Sequence, residues 1–336
     1  MPRFYNLTIV KPDAKVGDQP YRRWTSNPGS GTYDPGALDV EFDTIVAPFS
    51  QPTGGSPIRV YGIALDDLLQ AEQFAGTAPG NGMILTLYGG MSAGLPLANP
   101  KQSGLLFQGQ IVQSYGNWLG TEMTLDFVIK PSAYTPESPG NIVLVWRAGQ
   151  TLQSALASTL SIAYPGVKQN FSISDQLLLN HDEVGPYSTL ESLSQTIMRI
   201  TQGQIVSDDY FGVAIVYQGG QLYIFDRTIA PPSPTQIAFN DLIGQPTWID
   251  VNTMQMTTVL RSDLVVGSGI MMPKIQEGAP SVVQTTAASF PNSLKYKSAF
   301  QGPFQVTQVR HTGRLRAPDA QSWVSVFNCV AGLVGS

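Results

Sequence analysis

Apolar residues along this chain recur mostly at every second position, the period of a strand with one buried face. Phe4 to Val10 predicts a first strand, and Leu38 to Val46 a second, with Leu38, Val40 and Phe42 facing away from Asp39, Glu41 and Asp43. Ile58 and Val60 open another, and Met83 to Tyr88 and Gly104 to Ser114 two more. Met123 to Ile129 is the clearest, with Met123, Leu125, Phe127 and Ile129 opposite Thr124 and Asp126, and Gly116 to Leu119 expected in the turn before it. The helical spacing of Leu65, Leu68 and Leu69 predicts a short amphipathic helix to about Phe74, with Asp66 and Asp67 in a solvated first turn. Residues 1–132 thus hold five or six strands and one helix, and a twisted sheet of that size curls toward a barrel.

The period then changes. Residues 131–139 (PSAYTPESP) read as a linker, followed by a helical stripe of Leu152, Ala155, Leu156, Thr159, Leu160 and Ala163. Ser188 with Glu191 forms a capping-box pattern ahead of Leu190, Leu193, Ile197 and Ile200. Tyr210 to Tyr217 and Gln221 to Asp226 predict a hairpin through Gly219 and Gly220. Two helices and a hairpin make a small α+β module over residues 140–230, inserted between the barrel of 1–132 and a second one over 237–336. Met254 to Leu260 and Leu264 to Met272 are strands of that second barrel, and 277–297 is expected as a loop. The final pair runs from Phe304 to Val330, with Gly313, Arg310, Arg314, Arg316, Pro318 and Asp319 expected in a charged loop between its strands and His311 at a barrel rim. The fold class is therefore mainly β, with two barrel domains flanking a smaller α+β part.

Residues 11–36 are too long for a hairpin turn and hold Tyr21, Arg22 and Trp24, side-chain types that protein interfaces favour. They are expected to form an arm that contacts a neighbouring subunit.

Only 13% of the 336 residues are charged, about half the usual share, which fits a surface largely covered by partners. The net charge of −5 argues against a surface that grips phosphates, and also serves plain solubility. Cys329 stands alone, so no internal disulfide forms and assembly in a reducing cytoplasm is expected. The start of the chain lacks the apolar run of a signal peptide, and no stretch approaches the ~18 consecutive apolar residues of a membrane-spanning helix.

Candidate chemistry is sparse. His181 lies in a polar turn with Asn180, Asp182 and Glu183, and Asp208 with Asp209 lack the spaced oxygens of a calcium loop. The glycines at 89–90 and 267–269 do not follow phosphate-cradling patterns. No catalytic, cofactor or metal site is assigned. Gly149-Gln150-Thr151-Leu152 is similar to the opening of peptidoglycan-binding lysin motifs, with Gln150 where an acidic residue is usual. A helix N-terminus capped by Thr151 accounts for the same residues.

Val309, His311, Gly313, Arg316, Asp319 and Trp323, in that order and spacing, resemble the C-terminal barrel of the tail baseplate hub proteins of contractile-tailed bacteriophages, relatives of the hub part of type VI secretion spike proteins. Residues 242–246, 256–260 and 264–270 resemble the same family's run into that barrel. The resemblance implies a non-enzymatic homotrimer whose paired barrels form a pseudo-sixfold ring. Such a ring joins a tail tube or tube initiator above to a spike below, contacts other baseplate proteins, and lets DNA pass its lumen without specific binding. It would sit in the virion after assembly in the host cytoplasm. The alternative is a wall- or carbohydrate-binding module or a tail-associated wall hydrolase using His181 or Glu183.

Overall fold

Tyr5, Leu7 and Ile9 are fully buried on one side of β1 (Arg3–Val10), and this strict alternation sets the tone for the sheet that follows. The computed structural model describes residues 3–14, 17–28, 32–51, 55–76, 82–91, 99–131, 142–203, 206–207, 210–227, 233–273, 284–285, 303–319 and 321–331. After β1 come β2 (Arg22–Thr25), β3 (Asp39–Val46), β4 (Ser56–Tyr61), α1 (Leu65–Leu69), β5 (Ile84–Met91), β6 (Gly104–Leu119) and β7 (Glu122–Lys130). The middle of the chain forms β8 (Ile142–Trp146), α2 (Leu152–Ala163), β9 (Lys168–Ser172), β10 (Glu183–Tyr187), α3 (Leu190–Thr201), β11 (Ala214–Gln218) and β12 (Gln221–Phe225). Then follow β13 (Thr235–Gln236), β14 (Thr247–Trp248), β15 (Thr253–Val259), β16 (Gly269–Met271), β17 (Gln284–Thr285), β18 (Pro303–Arg314) and β19 (Trp323–Ala331). The fold is mainly β with a smaller α+β part.

One 14-stranded sheet runs β17-β14-β15-β19-β18-β3-β4-β7-β6-β5-β1-β2, with β16 joined to β18 and β13 to β16. Strands from the two ends of the sequence meet at its middle, where β18 pairs antiparallel with β3 from Val309 opposite Val46 to Arg314 opposite Glu41. One continuous apolar cluster, from Tyr5 through Phe127 to Cys329, lies behind it. A second cluster, from Ile142 to Ile224, belongs to the middle of the chain. There β8 pairs with β10, β9 pairs with the β11–β12 hairpin, and α2 and α3 pack over them. Thr151 caps α2 through Ser154 N as expected.

Several local expectations need correction. Residues 116–119 are not a turn: β6 runs on to Leu119 opposite Glu122, and the reversal falls at Gly120, with φ 62°. The helix after β4 ends at Leu69 and tightens into a 3₁₀ turn over Ala71–Phe74. The changed period buries Ala71 and Phe74 and leaves Leu65 and Leu69 outside. Asp67 is not solvated; it is buried and bonded to Arg22 Nε at 2.5 Å. The capping box of α3 sits one residue later than Ser188, with Thr189 as cap and Ser192 as its reciprocal partner. β11 starts at Ala214 because Gly212, at φ 85°, breaks the extended run from Tyr210. Gly219 and Gly220 make the expected tight turn with φ 59° and 75°. The linker beyond Pro131 and the loop expected over 277–297, apart from β17, lie outside the described residues.

Candidate functional site: the joint at the C-terminal hairpin

The residues singled out near the C-terminus converge on one place, the seam where β18 and β19 meet β3. Val309 is buried between its register partners Val46 and Phe327. Gly313 is not in a loop but in β18, flanked by Phe42 on one side and Trp323 on the other. The two rings meet edge to face over it, with centroids 5.2 Å apart. The chain reversal is confined to the residues after Arg314. There Arg316 donates to the carbonyls of Pro35 (3.1 Å) and Ala37 (2.6 Å), while its backbone N–H bonds Asp39 Oδ1 at 3.0 Å. Trp323 is buried and donates its indole N–H to Gly90 O at 3.0 Å.

Sequence reading missed the group that locks this turn. Arg3, at the start of β1, is buried and donates to the carbonyls of Arg314 (2.7 Å), Ala317 (2.6 Å) and Asp319 (2.6 Å) and to Ser322 Oγ (3.0 Å). Its guanidinium lies 5.8 Å from the centroid of the Trp323 ring. Burial pulls its pKa down, opposed by Asp319 and Asp39. The carbonyls it binds belong to a turn whose peptide groups would otherwise need water, and charge-assisted bonds of this kind contribute ~1.5–3 kcal/mol each. Asp319 thus meets Arg3 through its backbone oxygen, while its carboxylate acts on the guanidinium at longer range.

On the outer face of the seam the alternating charges of the two strands pair across it. Arg310 forks onto Asp43, with its Nε to Oδ1 at 2.6 Å, and Arg314 meets Asp39 at 3.0 Å while lying over Tyr61. These bonds raise the pKa of both arginines. One strand pair on, Arg59 pairs with Asp126.

On the inner face stands a buried polar row. His311, between Thr44 and Ser325 in register, is mid-strand and not at a rim, because β18 continues three residues beyond it. Ser325 Oγ accepts Arg261 N at 3.0 Å and lies 3.2 Å from Arg261 O and 2.8 Å from His311 Nδ1. Burial lowers the His311 pKa to about 3, keeping the ring neutral. Arg261 is itself buried and forked onto Asp263 at 2.7 Å, with Asp241 at 3.1 Å. Cys329 is buried in the same core, and burial pushes its thiol pKa up.

The middle of the chain is fastened beside this seam. Gln218, at the end of β11, donates to Val266 O at 2.8 Å and accepts Val266 N at 3.0 Å, and Phe49 N bonds Ile215 O at 2.9 Å. A cavity of about 200 Å³ lies at the three-way contact, lined by Leu106, Tyr217, Leu264, Val309 and His311 among others.

Arg22 and Trp24 are gathered elsewhere, on β2 at one end of the sheet path, with Tyr21 just before it. Tyr21 meets Phe74 edge to face, Trp24 lies against Phe127, and Arg22 holds Asp67. Their side chains are engaged within this chain. His181 is exposed and touches Asn180 Oδ1 at 2.9 Å, and Asp182 accepts Ala148 N at 2.7 Å, contacts that tie a turn beside α2. Among the described residues no group of three His, Cys, Asp or Glu could hold a metal ion, and no helix is long and apolar enough to cross a membrane.

No protein-family model and no curated protein sequence matches the chain. Solved structures do. The 43 kDa tail protein of prophage MuSo2 from Shewanella oneidensis matches with a TM-score of 0.50 at 8% identity, over 98% of this chain and 96% of that one. A tail protein from Neisseria meningitidis MC58 gives 0.46 at 9% identity, over 97% and 96%. An E. coli component of the type VI secretion system, described as structurally similar to T4 bacteriophage tail proteins, gives 0.48 at 10% identity, over 89% and 76%. At such identities the likeness to the prophage protein is one of fold, and it extends over nearly the whole of both chains.

Proposed function

We propose that this chain is a structural, non-enzymatic hub of a phage tail baseplate or a related injection machine. The observation that carries the reading is the correspondence of fold with a prophage tail protein over 98% of the chain. Three copies around one axis would bring six sheet-forming halves into a ring, joining a tube or tube initiator above to a spike below and letting DNA pass, in the virion after assembly in the host cytoplasm. The division into 1–132, 140–230 and 237–336 belongs to this proposal. The separate apolar cluster of the middle part supports the insert, and the shared sheet supports two halves held as one unit. With the side chains of Tyr21, Arg22 and Trp24 engaged internally, a neighbouring subunit would meet the outer edge of β2.

The test is the mass of the purified chain by light scattering, alone and co-expressed with a phage tail spike protein, followed by electron microscopy. A trimer with a central hole is the expected result. A monomer under both conditions overturns the reading. A second reading, wall-glycan binding, has one observation in its favour: β8 and β10 pair antiparallel with α2 between them in sequence, opening at Gly149-Gln150-Thr151. Co-sedimentation with purified peptidoglycan would support it.

A further inference from the structure

The β6–β7 hairpin ends in apolar side chains that the core does not use. Trp118 is 61% exposed, and beside it on α1 Leu65 is 43% and Leu69 72% exposed. The tip is a firm platform, since the strands stay paired to Leu119 opposite Glu122. Gly116 faces α1, because a Cβ there would stand 2.7 Å from Leu68 O and 3.1 Å from Leu68 Cγ. Trp118, two residues on, extends the same side. Leu65 and Leu69 lie one turn apart on the outer side of α1, away from buried Asp67. The Trp118 indole N–H is already bonded to Gly120 O at 2.9 Å, so what it offers outward is apolar ring.

Carboxylates predominate around this patch, although Lys11 lies nearby over the Tyr21 ring. Asp66, Glu72 and Glu122 are exposed at its rim, and a second nearby cation, Arg22, is taken by Asp67 at 2.5 Å. An apolar centre ringed by carboxylates is complementary to apolar anchors flanked by cations. Arg59, Arg310 and Arg314 on the same sheet are each held by an aspartate of their own chain, so these three offer a second copy no free cation to meet the carboxylates. We propose that this hairpin-and-helix surface docks a basic amphipathic segment of a neighbouring protein, with two or three apolar side chains between lysines or arginines. The inference does not rest on the hub reading.

The test uses the full chain and two labelled amphipathic peptides of identical pattern, one of Leu and Lys and one of Leu and Glu, titrated by fluorescence anisotropy. The Lys peptide should bind saturably, weaken as salt rises, and shield Trp118 from acrylamide. The Glu peptide should not bind. Leu65→Ser with Leu69→Ser, at exposed positions that leave the core intact, should weaken the Lys peptide about tenfold or more. Asp66→Lys with Glu122→Lys should shift preference toward the Glu peptide. Wild-type affinity in the Leu65→Ser, Leu69→Ser variant, or equal binding of both peptides, overturns the proposal. So does self-association of the unliganded chain that the same leucine substitutions abolish, which would give the surface to a second copy.

Discussion

Gly313 lies directly beneath the ring of Phe42, its register partner across the seam between β18 and β3, so closely that a Cβ at 313 would overlap the ring. The ring is pinned from the other side by Trp323, and Trp323 by its bond to Gly90. None of the three can yield without disturbing the next.

Gly313→Ala should therefore destabilise the protein by ~1–3 kcal/mol, the usual cost of forcing a methyl into a filled core. Gly313→Ala combined with Phe42→Leu, which vacates ring volume, should recover part of that loss. Urea denaturation followed by tryptophan fluorescence measures both; a Gly313→Ala midpoint equal to wild type would mean the seam is loose.

Arg3 makes the complementary prediction for the turn after β18. Arg3→Ala removes the charged donor from three carbonyls and from Ser322 Oγ, leaving the weaker neutral bonds of the Ser322 hydroxyl and Ala317 N to hold the turn, and Arg3→Lys restores a charge but not the fork that reaches all of them. Amide exchange over residues 314–322 should accelerate in both variants, more in Arg3→Ala, with exchange in the α2–α3 part unchanged. Uniform acceleration across the chain would instead point to global loss of stability.

The distance between these partners explains what the sequence did and did not disclose. Alternation in β3 and β7 was legible because a strand with one buried face repeats every second residue. The acids of β3 and the arginines of β18 were each visible, yet their pairing was not, since Arg310 and Asp43 lie 267 positions apart. Without that pairing, Gly313 among arginines reads as a loop residue, whereas in the fold it is the gap that admits Phe42. Arg3 bonds Arg314 O across 311 positions, and nothing local to either end marks the contact. At α1 the error was one of period: a helix that tightens after one turn presents a different face, so Asp67 and Leu68 lie inward and Leu65 and Leu69 outward.

His311 gives a pH prediction with a definite sign. Its folded pKa of about 3 lies below the ordinary 6.5, so the unfolded chain binds the proton first as pH falls. The neutral, buried ring contributes its full stability above pH 6.5, and that contribution is lost progressively between 6.5 and about 3, at up to ~1.4 kcal/mol per pH unit. His311→Gln removes the titration. Its stability measured by urea at pH 7, 6, 5 and 4 should fall less steeply than that of wild type. Parallel slopes would show that His311 does not titrate as its burial demands.

Gln218 is the strongest single tie between the middle of the chain and the long sheet, because one side-chain amide satisfies both backbone groups of Val266. Gln218 is 8% exposed, so water does not readily replace it. Gln218→Ala leaves the Val266 N–H and C=O without these partners, a cost of ~1–3 kcal/mol for each buried group left unpaired. Gln218→Glu keeps the shape and one acceptor but loses the donor and buries a charge, and should be the worse of the two. Both variants should speed exchange of the Val266 amide while leaving the Arg3 turn protected. Unchanged exchange at Val266 would mean that the insert is held by its apolar contacts and by the Phe49–Ile215 bond alone.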